Sequence, residues 1–175
     1  MKFEILNNRM KAFESAGAHV IAPELYIIAR LKRQQRVDET FADQMHIAMI
    51  ETTEHLMTCG FNTTYAYTTG KEISILFDIN ESSFHRRSNK LISVLAGEAS
   101  ASVTHLMNNP GTFDCRIVAL PNKQLVIDYF NWRVEKTESS QNNTCSYWEV
   151  NEYGTRELVT IQFTNATGIG AKRGI

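Results

Sequence analysis

Apolar residues recur at helical spacing over residues 2–17, where Phe3, Ile5, Leu6, Met10 and Phe13 share a face that stops at Gly17. The pattern predicts an amphipathic N-terminal helix. Residues 25–31 (Leu-Tyr-Ile-Ile-Ala-Arg-Leu) are β-branched and aromatic and predict a strand, followed by a polar basic stretch over 32–36. Over 39–58 the period returns to helical, with Phe41, Met45, Ala48, Met49, Thr52, His55 and Leu56 on one face and Cys59-Gly60 as the stop. Residues 62–68 and 72–77 read as two strands of a hairpin across Thr69-Gly70-Lys71, with Gly70 expected at positive φ. A second long helix is predicted over 83–107, capped by Ser83 and buried through Leu91, Val94, Leu95, Ala99 and Leu106. A strand over 113–120 ends at Pro121, and Leu125, Val126, Tyr129 and Phe130 give 122–136 a helical face. A polar stretch from Lys136 to Asn143 runs into extended residues 146–150, and the small, polar tail from Gly168 is expected to fray.

The core order is β-α-β-β-α-β, which predicts a mixed α/β (α+β) domain of the split βαβ, ferredoxin-like kind: an antiparallel sheet with helices on one face. The opposite face then needs a cover or carries a site. At 175 residues the chain is expected to form one domain, residues 1–175.

Composition changes this picture little. Hydrophobic residues make up 43% and charged residues 21%, and the net charge is −1, so phosphate affinity must come from local patches. The longest apolar stretch, 20–31, is interrupted by Pro23, Glu24 and Arg30 and is too short to span a bilayer. Cys59, Cys115 and Cys145 are odd in number and form no C-x-x-C pair. They argue against a disulfide framework or a cysteine zinc site, and a cytoplasmic location is expected. With acids early and no apolar h-region, the N-terminus is not expected to be a signal peptide, and the sequons at Asn62, Asn142 and Asn165 are read as chance.

Two basic groups stand out. Arg30, Lys32, Arg33 and Arg36 fall within seven residues, while His85, Arg86, Arg87 and Lys90 fall in the first turns of the helix expected over 83–107. Cations there oppose the helix dipole, which a bound anion would relieve. His46 and His55 share a side of their helix without a Glu-x-x-His or His-Glu-x-x-His pattern, so packing is favoured over ligation. Gly168-Ile169-Gly170 precedes no helix and is not a phosphate loop, and no serine, cysteine or histidine falls into a nucleophile–base pairing.

Several segments then become specific: 25–31; Tyr65-Ala66-Tyr67-Thr68 with 72–77; 90–101; Phe113-Asp114-Cys115-Arg116; and Asp128-Tyr129-Phe130-Asn131-Trp132-Arg133. Together, and in order over most of residues 1–150, they resemble the tRNA-His guanylyltransferase family in its bacterial and phage branch. The resemblance implies a polymerase-like palm that uses two magnesium ions, held by two carboxylates, to add nucleotides to the 5′ end of tRNA. It also implies an Asp after the first strand and another in a Ser-Asp-Glu hairpin motif. Those places read Lys32-Arg33-Gln34 and Gly70-Lys71-Glu72 here. After Trp132-Arg133 the family's His-Arg-Asn cluster gives way to Glu138-Ser139-Ser140, with Asn143 retained, and the family's C-terminal region is shortened.

Two ammonium groups cannot hold a metal pair, so the expectation is a pseudoenzyme without cofactor or catalytic metal. Lysines at both metal positions are better read as cations gripping phosphates directly than as drift. The expected ligand contacts are Arg30, Lys32, Arg33, Lys71, Glu72, Arg86, Arg87, Lys90, Ser93 and Asn143, of which the resemblance implies that the basic ones near the second helix meet a triphosphate. Glu72 and Asp114 are also expected to ion-pair with the nearby lysines. The expected partner is a nucleotide-derived small molecule held by a homo-oligomer. A phage sponge that sequesters a nucleotide immune signal is one use. The alternative is a tRNA-binding module without nucleotide addition, disfavoured by the near-zero charge; weaker still is a metal-independent phosphodiesterase, for which no general base is placed.

Overall fold

A computed structural model describes residues 19–34, 38–136 and 143–163; the helix expected over 2–17, Arg36 and the tail from 168 lie outside them. Among the described residues six strands and three α-helices follow along the chain: β1 (Tyr26–Arg33), α1 (Ala42–Thr58), β2 (Thr63–Thr68), β3 (Glu72–Phe77), α2 (Ser88–Met107), β4 (Phe113–Leu120), α3 (Lys123–Lys136), β5 (Asn143–Val150) and β6 (Arg156–Phe163). All strand pairs are antiparallel, in the order β4-β1-β3-β2-β5-β6. The first four strands with α1 and α2 realise the expected split βαβ order. β5 and β6 extend it at the β2 edge.

Strand alternation divides the core between the two faces. On one face Ile27, Ala29, Leu31, Ala66, Ile73, Ile75 and Phe77 meet Met45, Ala48, Met49 and Leu56 of α1 and Leu91, Leu95, Ala99 and Val103 of α2. The helix stripes follow the predicted spacing, except that Phe41 and His55 are exposed and Val94 and Leu106 only half-buried. Thr53 Oγ1 donates to the Met49 carbonyl at 2.7 Å and shares a 2.7 Å hydrogen bond with Thr68, pinning α1 to β2. On the other face Ile28, Tyr65, Tyr67, Leu76 and Cys145 pack against Val126 and Phe130 of α3. The face left for a cover or a site is therefore partly roofed by a third helix.

Several local expectations are revised. β1 runs two residues further than its apolar run, because Lys32 pairs with both β3 and β4 and Arg33 with β4. The β2–β3 turn is organised by Thr69 and not by a positive-φ glycine. Thr69 Oγ1 accepts from the N–H groups of Lys71 and Glu72 at 3.2 and 3.1 Å, and Gly70 stays out of the left-handed region. Gly60, at φ 114°, does terminate α1 as expected.

The second long helix starts at Ser88, not Ser83. Phe84, His85 and Arg86 take left-handed φ angles of 54°, 53° and 58°, which break the helix before it begins. Arg86 explains this turn. Its five N–H donors meet five main-chain carbonyls: Ile21 at 3.1 Å, Ile79 at 3.3 Å, Glu81 at 2.9 Å, Ala22 at 2.9 Å and Leu25 at 2.7 Å. The guanidinium is a knot that ties the entry to β1 onto the head of α2. Strand β6 was not expected at all; Arg156–Phe163 pairs along its whole length with β5.

His46, on α1, has both ring nitrogens shielded from solvent with no hydrogen-bond partner among the described residues. Burial lowers its pKa, partly offset by Asp43.

Replacing Arg86 by Met removes the guanidinium donors from these five carbonyls and should lower unfolding stability by roughly 3 kcal/mol or more. Arg86→Lys, with three donors in place of five, should recover less than half, as read by urea denaturation. For His46 the folded pKa lies below the unfolded value, so its contribution is full above about pH 6.5 and is lost as pH falls through the folded value. Melting temperature should therefore decline between pH 7 and pH 5 more steeply in the parent than in His46→Leu.

Candidate ligand site on the α3 face

Because directly opposed residues share a side of the sheet, β1 sends Arg30 and Lys32 towards α3, alongside Ser74 and Glu72 of β3 and Arg116 and Asp114 of β4. Arg30 donates to Glu72 Oε1 at 2.7 Å. The other carboxylate oxygen is held by Arg133, which reaches down from α3 and is 3% exposed. One carboxylate thus bridges two guanidinium groups, and the cluster keeps a net positive charge. Burial, and after it the charge of Arg30, pull the Arg133 guanidinium below its ordinary pKa, with Tyr67 acting the other way.

Trp132 closes the cluster from above. Arg30 and Arg133 lie 5.9 and 5.2 Å from its ring centre, within cation–π range, and the indole remains 39% exposed. Tyr129, one turn back on α3, stands 5.8 Å from Trp132 and shares a 3.2 Å hydrogen bond with Ser74. Burial raises its phenol pKa, while Ser74 and Arg30 oppose the rise. The site is a cationic cluster beside an exposed aromatic ring. Such a surface presents charge-assisted donors to a phosphate and a flat face to a base.

The ten expected contact residues do not converge on one place. Arg30 and Glu72 form the centre, and Lys32, exposed, lies opposite both Glu72 and Asp114. Exposed Lys71 sits in the adjoining turn, where its carbonyl accepts from the Arg33 N–H at 2.9 Å. Asn143, fully buried, begins β5 one residue before the partner of Thr68, at the same end of the sheet.

Arg33 faces the other way. It is buried on the α1–α2 side, donates to the Gly70 carbonyl at 3.1 Å, and has its pKa lowered by burial. Arg86 is fully engaged by main-chain carbonyls. Arg87, Lys90 and Ser93 lie at the head of α2, by the entry to β1 and so at the far end of the sheet from Lys32. There Arg87 Nε donates to the Phe84 carbonyl at 3.3 Å and Ser93 to that of Lys90 at 3.1 Å. His85 and Arg86 precede the helix, so the expected stack of cations on its dipole is reduced to Arg87 at the cap and Lys90 in the first turn.

Ion pairing is also redistributed. Glu72 was expected to pair with lysine and pairs with two arginines; Asp114 pairs with Arg116 at 3.7 Å. Arg133, Trp132, Tyr129 and Ser74 were not foreseen as site residues. A signal existed for Arg133, which occupies a position that the spacing of Val126, Tyr129 and Phe130 assigns to the buried stripe of α3.

Both oxygens of Glu72 are held by arginines, with Lys32 opposite it on β1 and Lys71 just before it in the turn.

A six-stranded antiparallel sheet with two crossover helices on one face and a charged cluster on the other defines a palm-type fold. The profile of tRNAHis guanylyltransferase (Thg1) matches residues 7–121, and the chain belongs to that family. Among solved structures, a bacterial tRNA(His) guanylyltransferase (Thg1)-like protein in complex with ATP superposes with a TM-score of 0.76 at 20% identity, covering 94% of this chain and 94% of that one. The same kind of bacterial protein in complex with GTP gives 0.73 at 20% identity, over 89% and 90%. The tRNA(His) guanylyltransferase of Saccharomyces cerevisiae gives 0.57 at 22% identity, over 70% of this chain and 62% of that one. No curated protein sequence matches the chain. No helix among the described residues is long and apolar enough to cross a membrane.

The shared carboxylate is open to a double-mutant test. Glu72→Gln should destabilise by about 2 kcal/mol by leaving Arg133 buried with a weaker partner. Adding Arg133→Met should cost less than the two single changes together, with a coupling of about 1–2 kcal/mol by denaturant unfolding.

Proposed function

We propose that the chain binds a nucleotide-derived anion on the α3 face and holds it without turning it over. The observation that supports this reading is the charged cluster of Arg30 and Arg133 bridged by Glu72, with Lys32 and Lys71 beside it where the family resemblance implies metal-binding carboxylates. Similar folds hold ATP and GTP, which supports the ligand class. In this chain ammonium and guanidinium groups take the phosphates that metal ions would bridge in a catalytic palm, and Trp132 offers its exposed face to the base. Without two-metal chemistry the ligand leaves as it came. Sequestration needs only affinity and copy number, and capture of a nucleotide immune signal during infection is the use we favour.

Calorimetry in EDTA against mono-, di- and cyclic nucleotides and ADP-ribose derivatives tests the proposal. We expect saturable binding, weakened about tenfold or more by Lys32→Ala and by Lys71→Ala, with ligand recovered unchanged after denaturation. Turnover in magnesium would overturn the non-catalytic part. Absence of binding by any small nucleotide would overturn the whole, and tRNA would become the ligand to examine.

A further inference from the structure

On the opposite face of the sheet, where α1 and α2 lie side by side, three side chains of different chemistry converge. His55 and Cys59 stand one turn apart at the end of α1, and Glu98 projects from the middle of α2. One donor atom from each (an imidazole nitrogen, the Cys59 Sγ and a Glu98 carboxylate oxygen) lies within 4.8 Å of the other two. His55 Nε2 and Glu98 Oε2 are already joined by a 2.7 Å hydrogen bond, and Cys59 Sγ donates to the Leu56 carbonyl at 3.4 Å.

We propose that His55, Cys59 and Glu98 form a binding site for zinc or a similarly borderline transition cation. Around a tetrahedral ion with bonds of about 2.0–2.3 Å, the donor atoms stand roughly 3.3–3.6 Å apart. The His55–Glu98 pair must therefore open by about half an ångström, and the sulfur must close by about 1.3 Å at most. Both are side-chain adjustments. The ion displaces the hydrogen-bonding proton between His55 and Glu98 and the thiol proton of Cys59, and both protons leave to solvent. A thiolate, an imidazole and a carboxylate together select zinc over magnesium or calcium, which take oxygen ligands.

A second feature favours a cation here. The site adjoins the C-terminal end of α1, the negative end of its helix dipole, and the chain turns away at Gly60. The side chains of His55 and Glu98 are 43% and 41% exposed, so an ion enters from solvent and a fourth position is left for water. A simple His–Glu bridge between helices explains two of the three groups; it does not bring Cys59 to the same point. The other two cysteines, Cys115 and Cys145, are buried in the sheet and stand apart from this cluster. Bound metal would clamp the end of α1 to α2. The site is independent of the ligand reading on the α3 face.

The test uses the tag-free, full-length chain after EDTA treatment and desalting, titrated with zinc chloride by calorimetry and with cobalt chloride by absorption. We expect one equivalent of zinc, a rise in melting temperature with zinc, and a cobalt spectrum with tetrahedral bands and a sulfur-to-cobalt charge-transfer band. Cys59→Ser should abolish that band, and Cys59→Ser, His55→Gln and Glu98→Gln should each weaken zinc binding by about tenfold or more. Should Cys59→Ser fail to fold, the exposed His55→Gln and Glu98→Gln carry the test. Absence of stoichiometric binding, a cobalt spectrum without sulfur character, or affinity unchanged in the variants would overturn the proposal.

Discussion

The carboxylate of Glu72 holds the second face of this protein together. Two guanidinium groups, one from the sheet and one from α3, cannot approach each other without an anion between them, and Glu72 supplies it. Arg133 is among the most deeply buried charges described, and its position brings Tyr129 over Ser74 and Trp132 over Arg30. The helix is thereby fixed by electrostatics at one end and by Val126 and Phe130 at the other. Glu72 is thus the anion on which the packing of α3 at this end depends.

The two faces are built on different physics. The α1–α2 side is an apolar core stitched by threonine hydroxyls, with Thr52 meeting Ser102 at 3.1 Å and Thr53 meeting Thr68. The α3 side grades from aromatic packing at Tyr65 and Phe130 into a charged cluster at one end. Arg86 belongs to neither face. It stabilises a left-handed turn outside the sheet, which only a fully engaged guanidinium makes tolerable in three successive non-glycine residues.

Much of the fold could be read from periodicity. The stripes Met45–Ala48–Met49–Leu56 and Leu91–Leu95–Ala99 are strict enough to place α1 and α2, and the alternation in β1 to β4 is reinforced by burial on both sides. What escaped was set by tertiary partners. β6 is a mixed polar segment, Arg-Glu-Leu-Val-Thr-Ile-Gln-Phe, that becomes a strand because β5 offers it a ladder. The start of α2 was misplaced because Ser83 looks like a cap, while the decisive event is the long-range capture of Arg86 by carbonyls near Ile21. In the candidate site the strand-borne residues Arg30, Lys32 and Glu72 were legible, since resemblance and alternation agree on them. Arg133 was not, because a positive residue within a buried stripe looks like noise until its partner is known.

The alternation of β1 also divides its cations between two surfaces. Arg30, Lys32 and Arg33 are near neighbours in sequence, yet the sheet sends the first two to one side and the third to the other. With a rise of about 3.3 Å per residue, the two that share the α3 side stand roughly 7 Å apart along the strand. A basic run that looks continuous in sequence becomes, once pleated, charge on two separate faces.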